Sequence, residues 1–292
     1  MIEIKSVFPE STRSKGLWAA LAGSFLVSLD PVFIRLSGTG GFDTVFLFGL
    51  FTAVSMSAVI RATDSRGVSG TLKAGGWPLL VSALLMVGSA TTFVLSVKHT
   101  AVANTMIILS GRPVLTAVFS WIILREKTSP ALWMAIAGVM AGILIVVSGS
   151  ARSPNLAGDG LALLTVTFLA MNGVVLRRYK QMSRMAVVGL CGFFMALLMA
   201  APATPSAYGL STWVTMGIMG LVSAPLGRVL NAASSRYIPA AESAVISLSS
   251  MMFAPVWIFF LFREIPPAAT LAGGTIVLGT IFSYIFFTGK QG

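Results

Sequence analysis

The chain has 292 residues, 56% of them hydrophobic and only 10% charged, with a mean hydropathy of +0.90. That balance excludes an ordinary soluble domain, in which about a quarter of the residues carry charge, and points to a bilayer. One cysteine and one histidine exclude an internal disulfide, a cysteine-based metal site and a histidine ligand cluster. In a membrane chain the net charge of +11 then bears on orientation rather than on nucleic acid.

Residues Met1 to Lys15 are polar and of mixed charge, and the apolar run after them carries Asp30-Pro31 without a small-residue cleavage site. The first helix is therefore expected to stay in the protein. Apolar runs of about 17 to 25 residues, bounded by charge or by Gly/Pro clusters, predict about ten membrane spans. Their cores are Leu17 to Leu36, Phe42 to Ile60, Trp77 to Val97, Ala101 to Leu124, Leu132 to Val147, Gly158 to Leu176, Ala186 to Ala201, Trp213 to Ser235, Ala240 to Phe262 and Leu271 to Phe287. Trp18, Trp77, Trp133 and Trp213 fall near span ends, where an amphipathic ring suits the headgroup layer.

One unit is used twice. Ala103 to Glu126 and Ala241 to Glu264 both open on alanine, a polar or acidic residue and a hydroxyl residue, and both close on Arg-Glu. Asn104 and Glu242, like Glu126 and Glu264, stand 138 positions apart. Upstream, Asp30-Pro31 and Arg35 resemble Asn172-Gly173 and Arg177. The division expected is a cytoplasmic segment over 1–16, a first five-helix repeat over 17–150 and a second over 151–288. With the N-terminus cytoplasmic, most basic residues fall on the inside, and the outside receives only Arg35, Lys98, Arg152 and Arg263. Five spans per copy is odd, so the second copy enters the membrane inverted and both termini are cytoplasmic. This is the geometry by which carriers expose one site alternately to each face.

The A-x-[ST] start, Pro113 inside the fourth span, the Leu/Phe-Arg-Glu close with its proline-containing turn and the glycine-rich span after it resemble the drug/metabolite transporter superfamily in its EamA-type branch. The similarity covers essentially the whole chain in two copies. The second copy departs from the pattern, with Pro255 where the proline is expected at Met251. The resemblance implies an all-α integral membrane protein of ten transmembrane helices, a secondary carrier in the cytoplasmic membrane. It also implies export of amino acids, aromatic ones among them, or of related small metabolites.

Ionisable groups within a span are costly and face a partner or water. Asp30, Arg112 and Arg228 are the clearest. Arginine's planar fork suits a substrate carboxylate, and Asp30 or Glu242 suits an ammonium group. The structural alternative is a buried ion pair, such as Asp30 with Arg112, that never meets substrate. Asn104, Asn172 and Ser247 are further polar candidates and Phe93 an aromatic wall. Pro31, Pro113, Gly173 and Pro225 are expected hinges or kinks, because proline removes a helix donor and glycine loosens the backbone. Gly138 and Gly142 form a GxxxG motif on the fifth span, expected to meet Gly273 and Gly274 on the tenth.

Alternatives in cargo are drugs, nucleotide sugars or phosphorylated metabolites. An alternative in class is a membrane-embedded enzyme, which one histidine and one cysteine serve poorly. The chain also lacks a Walker-type phosphate loop. The partners expected are a small-molecule substrate and the lipid bilayer, with no nucleic acid, metal or cofactor, as a monomer or a homodimer.

Overall fold

The computed structural model describes residues 12–125, 130–150, 155–179, 181–234 and 249–288. Among these residues the secondary structure is helical, with no strand. In chain order the helices are α1 (Thr12–Ser28), α2 (Asp30–Leu36), α3 (Gly41–Thr63), α4 (Gly67–His99), α5 (Val102–Ser110), α6 (Arg112–Leu124), α7 (Pro130–Ser150), α8 (Leu156–Arg178) and α9 (Arg184–Met199). A single 3-10 turn over Pro205–Ala207 leads to α10 (Leu210–Gly217), a π-helical segment over Ile218–Ser223 and α11 (Ala224–Ser234). After the segment 235–248 come α12 (Ser249–Phe262) and α13 (Ala268–Thr288).

Six helical runs are long and apolar enough to cross a membrane: Lys15–Leu36, Gly41–Thr63, Gly67–His99, Val102–Ile123, Leu156–Leu176 and Leu210–Arg228. Shorter apolar helices cover Trp133–Gly149, Arg184–Met199, Phe253–Phe262 and Ala268–Thr280. Hydrocarbon offers no partner to a peptide group, so each crossing run closes its own backbone bonds by being helical. Outward-facing Trp77, Leu144, Leu210, Phe260 and Ile265 are exposed, as lipid-facing side chains must be.

Where the runs break, a proline or glycine causes it. Span one divides at Leu29, because Pro31 has no N–H to continue the ladder. The fourth run divides at Gly111, two residues before Pro113, as the kink expected there requires. In α4, Gly76 takes φ 58° and ψ −156°, just ahead of Trp77-Pro78, and separates a short leading segment from the apolar stretch. By contrast α8 runs unbroken through Asn172-Gly173, where a hinge was expected. The missing Cβ of Gly173 instead lets Thr116 of α6 approach.

The helices pack in a regular set of pairs: α1 on α11, α3 on α9, α4 on α8, α5 on α12 and α7 on α13. With no hydrophobic drive between helices in lipid, close backbone approach supplies the attraction. At the α3/α9 crossing a Cβ on Gly49 would stand 2.7 Å from the Gly192 carbonyl, and one on Gly192 2.8 Å from that of Gly49. At the α7/α13 crossing the Gly142 position lies against the Gly273 carbonyl and Gly138 against Thr280. The GxxxG motif therefore meets the last span within one chain, as expected.

Candidate functional site

The centre of the bundle holds one ion pair. Asp30 opens α2 and is buried. Arg228 reaches it from α11, with Nη2 3.6 Å from Oδ2 and its side chain 30% exposed. The guanidinium also lies over the Phe48 ring of α3, 5.5 Å from its centroid. Among the described residues the pair is unfinished: Asp30 Oδ1 and Arg228 Nη1 are both buried and have no hydrogen-bond partner there. Polar and aromatic groups flank the same helices. Ser24 Oγ donates to Asn231 Oδ1 at 3.4 Å, and Trp257 Nε1 donates to Ser28 Oγ at 2.9 Å with its ring edge-on to Phe25.

Pro225 explains the shape of the run that carries Arg228. It has no N–H to give to the carbonyl of Leu221, four residues back. The wide π turn ahead of it absorbs the mismatch, and Ser55 Oγ of α3 donates to the Leu221 carbonyl at 3.1 Å. Ser223 Oγ likewise donates to the carbonyl of Leu26, beside the break in span one, at 3.1 Å. The π segment thus serves the backbone of span one beside its break and is itself served by α3, with Asp30 and Arg228 on either side of the α1/α11 contact.

The other expected site residues divide. Asp30 pairs with Arg228, not with Arg112, which corrects the structural pair suggested from sequence. Arg112 begins α6, whose neighbours are α8 and α7 rather than α1 or α11. Its side chain is exposed, and among the described residues it has no ion-pair partner. Asn172 is buried and accepts a hydrogen bond from Ser82 Oγ, tying α8 to α4. Phe93 is half-buried against two core clusters. Pro31 is buried in the first turn of α2 and Pro225 in that of α11. Glu242 and Ser247 lie outside the described residues.

A second polar assembly closes the end of the bundle that carries Arg35. Asn104 belongs here. Its Nδ2 donates to Asp159 Oδ1 at 3.2 Å, and its Oδ1 accepts from Thr270 Oγ1. Thr100 Oγ1 also donates to Asp159 Oδ1, at 2.7 Å. Asp159, Asn104 and Thr270 stand in the first turns of α8, α5 and α13, so three positive helix ends converge on one buried carboxylate. Arg35 Nη2 donates to the Thr100 carbonyl at 2.9 Å and pairs with Glu264 Oε2 at 3.4 Å, while Glu264 Oε1 accepts the Val102 N–H at 3.0 Å. Lys98 Nζ donates to Ser37 Oγ at 2.9 Å and to the Thr39 carbonyl at 3.0 Å. Asp43 Oδ1 accepts from Tyr208 Oη at 2.6 Å and Thr204 N at 2.8 Å. Burial and the bond to Asp43 push the Tyr208 hydroxyl above its usual range. Sequence reasoning placed Arg35, Lys98 and Glu264 as boundary charges and overlooked Asp159, whose one signal was a carboxylate at the start of an apolar run.

The α3–α4 corner holds a third polar group. Asp64 accepts Arg66 Nε at 3.0 Å, Arg66 Nη2 at 2.9 Å and Thr71 Oγ1 at 2.8 Å. The bonds from Arg66 hold its carboxyl well below the usual range. A recess of about 640 Å³ lined by Arg61, Asp64, Arg66, Ser69 and Leu72 opens there, and another of about 310 Å³ lies among Ala74, Pro78, Arg178, Tyr179 and Met182. Neither is lined by Asp30, Arg112 or Arg228, so these recesses are not the central pocket expected around those residues.

Residues 14–148, which contain Asp30, Arg112 and half of both assemblies, match the EamA-like transporter family. The chain is 24% identical over 187 residues to the pseudopaline exporter CntI from two strains of Pseudomonas aeruginosa. The match takes in 63% of this chain and 66% of the relatives' length. A solved structure described only as the crystal structure of a protein shares the fold, with a TM-score of 0.67 and 16% identity, over 95% of this chain and 99% of its own.

Proposed function

We propose that the protein is a secondary carrier that exports amino acids, aromatic ones among them, or similar small metabolites across the cytoplasmic membrane by alternating access. The observation that carries this reading is the Asp30–Arg228 pair, buried among the spans with one oxygen and one nitrogen left without partners. A zwitterion completes both groups. Its carboxylate takes the free guanidinium edge and its ammonium takes Asp30 Oδ1, with Phe48 and Trp257 beside it. The match of residues 14–148 to a transporter family and two relatives named as exporters support export as the direction.

The architecture proposed is ten spans in two inverted five-helix halves, with both termini cytoplasmic. The helix pairs support it: exchange of halves turns α1 on α11 into α8 on α4, and leaves α3 on α9, α5 on α12 and α7 on α13 unchanged. Arg125 and Arg263, the arginines of the two Arg-Glu closes, both take the left-handed conformation, at φ 53° and 57°. The chain works as a monomer or homodimer, and Asp30 or Glu242 is the candidate to carry a coupling proton.

Arg112 favours a second reading. Its exposed charge, without an ion-pair partner among the described residues, suits a more anionic cargo, such as a phosphorylated metabolite or nucleotide sugar. The deciding experiment is counterflow in proteoliposomes with amino acids, drugs and phosphorylated compounds, with and without a pH gradient. Exchange of an amino acid that Arg228→Ala abolishes is the expected result. Exchange restricted to phosphorylated compounds moves the cargo to the second reading, and no exchange of any compound removes the carrier function.

A further inference from the structure

We infer that Arg35 and Lys98 are the two arms of a gate that closes the outer end of the carrier, an inference that rests on the alternating-access reading above. The polar contacts at that end fall into two clusters. On one side Thr212 Oγ1 donates to the Ser37 carbonyl at 2.9 Å, Ser37 bonds Thr44, and Asp43 holds Thr204 and Tyr208, which joins α2, α3 and α10. On the other side Asp159 gathers Thr100 and Asn104, and Asn104 takes Thr270, which joins the α4/α5 corner to α8 and α13.

The side-chain bonds that cross between these clusters come from two cations pointing in opposite directions. Arg35, on α2, reaches over to the Thr100 carbonyl and to Glu264. Lys98, on α4, reaches back to Ser37 and Thr39. Glu264 is the shared socket, since its other oxygen is fixed to the Val102 N–H at the start of α5. Its position follows an arginine held left-handed at Arg263, a conformation that an L side chain adopts only against steric cost.

Such a seam suits repeated opening. Each cluster is stitched internally around one carboxylate, Asp43 or Asp159, between neighbouring helices, whereas the crossing contacts are made by long cationic side chains that water can serve once released. Arg35 and Glu264 are both partly exposed, so water replaces their partners on separation at small cost. The Asp64 end, with its two open recesses, has no comparable crossing among the described residues.

The test reads the distance across the seam and needs no substrate. In a Cys191→Ala background, spin labels are placed at exposed Ser206→Cys and Ala157→Cys, one on each cluster, and pulsed-EPR distances are recorded in lipid nanodiscs. The parent is expected to give mainly the short, closed distance. Arg35→Gln with Lys98→Met should raise the open fraction roughly tenfold, the scale of losing charged hydrogen bonds. Arg35→Lys with Lys98→Arg, which keeps both cations and both sets of acceptors, should stay closed. If the double variant yields too little folded protein, Lys98→Met alone is read in the same way. An unchanged distance distribution in a monodisperse variant overturns the gate. A failure of every cargo in counterflow would leave this result intact, and an unchanged distance with normal exchange would sink the gate alone.

Discussion

Among the described residues two ion pairs join distant parts of this chain, Asp30–Arg228 in the centre and Arg35–Glu264 at one end, and they are finished to different degrees. Glu264 gives both oxygens to partners, Arg35 and the Val102 N–H, and Arg35 adds the Thr100 carbonyl, leaving its Nε alone. In the central pair each member leaves a buried polar atom bare. A bare buried donor or acceptor costs about 1–3 kcal/mol, so folding alone gives no reason to keep two of them side by side. The end pair is built to hold helices together, and the central pair is built to be completed by something else.

The largest effect that breaks the comparison is expected at Arg228. Arg228→Ala should abolish exchange of any carboxylate cargo and, by stranding Asp30, destabilise the fold by about 3–5 kcal/mol. A thermal unfolding scan in detergent should then show Asp30→Asn with Arg228→Ala recovering most of that loss without recovering exchange. Recovery of exchange by the neutral double variant would make the central pair merely structural. Next comes the packing on which both pairs depend. Gly142→Val drives a side chain into Val277 and the Gly273 carbonyl, with an expected cost of about 2–3 kcal/mol in the same scan.

Ser55→Ala sharpens the picture of the π segment that presents Arg228. It should cost about 1 kcal/mol, and less in a Pro225→Ala background, where the backbone donor returns. Additive losses in the double-mutant cycle would show that Ser55 does not compensate for the proline. The smallest effect is expected from Tyr208→Phe, about 1 kcal/mol or less given its partial exposure. The folded Tyr208 pKa is raised, so its contribution is complete below the ordinary tyrosine value of about 10 and is lost as pH rises through the folded value. An alkaline stability profile should lose this component in the phenylalanine variant.

Much of this was legible along the chain because a bilayer makes local demands. A long apolar run has to be helical, a proline within it has to interrupt the ladder, and glycines four apart have to face something close. The break at Gly111 and the Gly142–Gly273 contact follow from those rules. Partner choice was not legible. Asn104 and Asn172 looked like ligands because each is a polar residue in an apolar run, and the fold supplies Asp159 and Thr270 to the first and Ser82 to the second. Gly173 looked like a hinge by analogy with Asp30-Pro31, yet it retains its N–H, and α8 stays continuous.

Composition and order of residues determined by themselves that this is a helical membrane chain, where several of its helices are interrupted, and which few charges had to be accounted for within it. Only the tertiary structure decided that Asp30 answers Arg228 rather than Arg112, and that charges assigned to helix ends form a seam. The reason is physical: the cost of burying a polar group is fixed by its own chemistry, whereas the relief of that cost comes from whichever distant helix packs alongside.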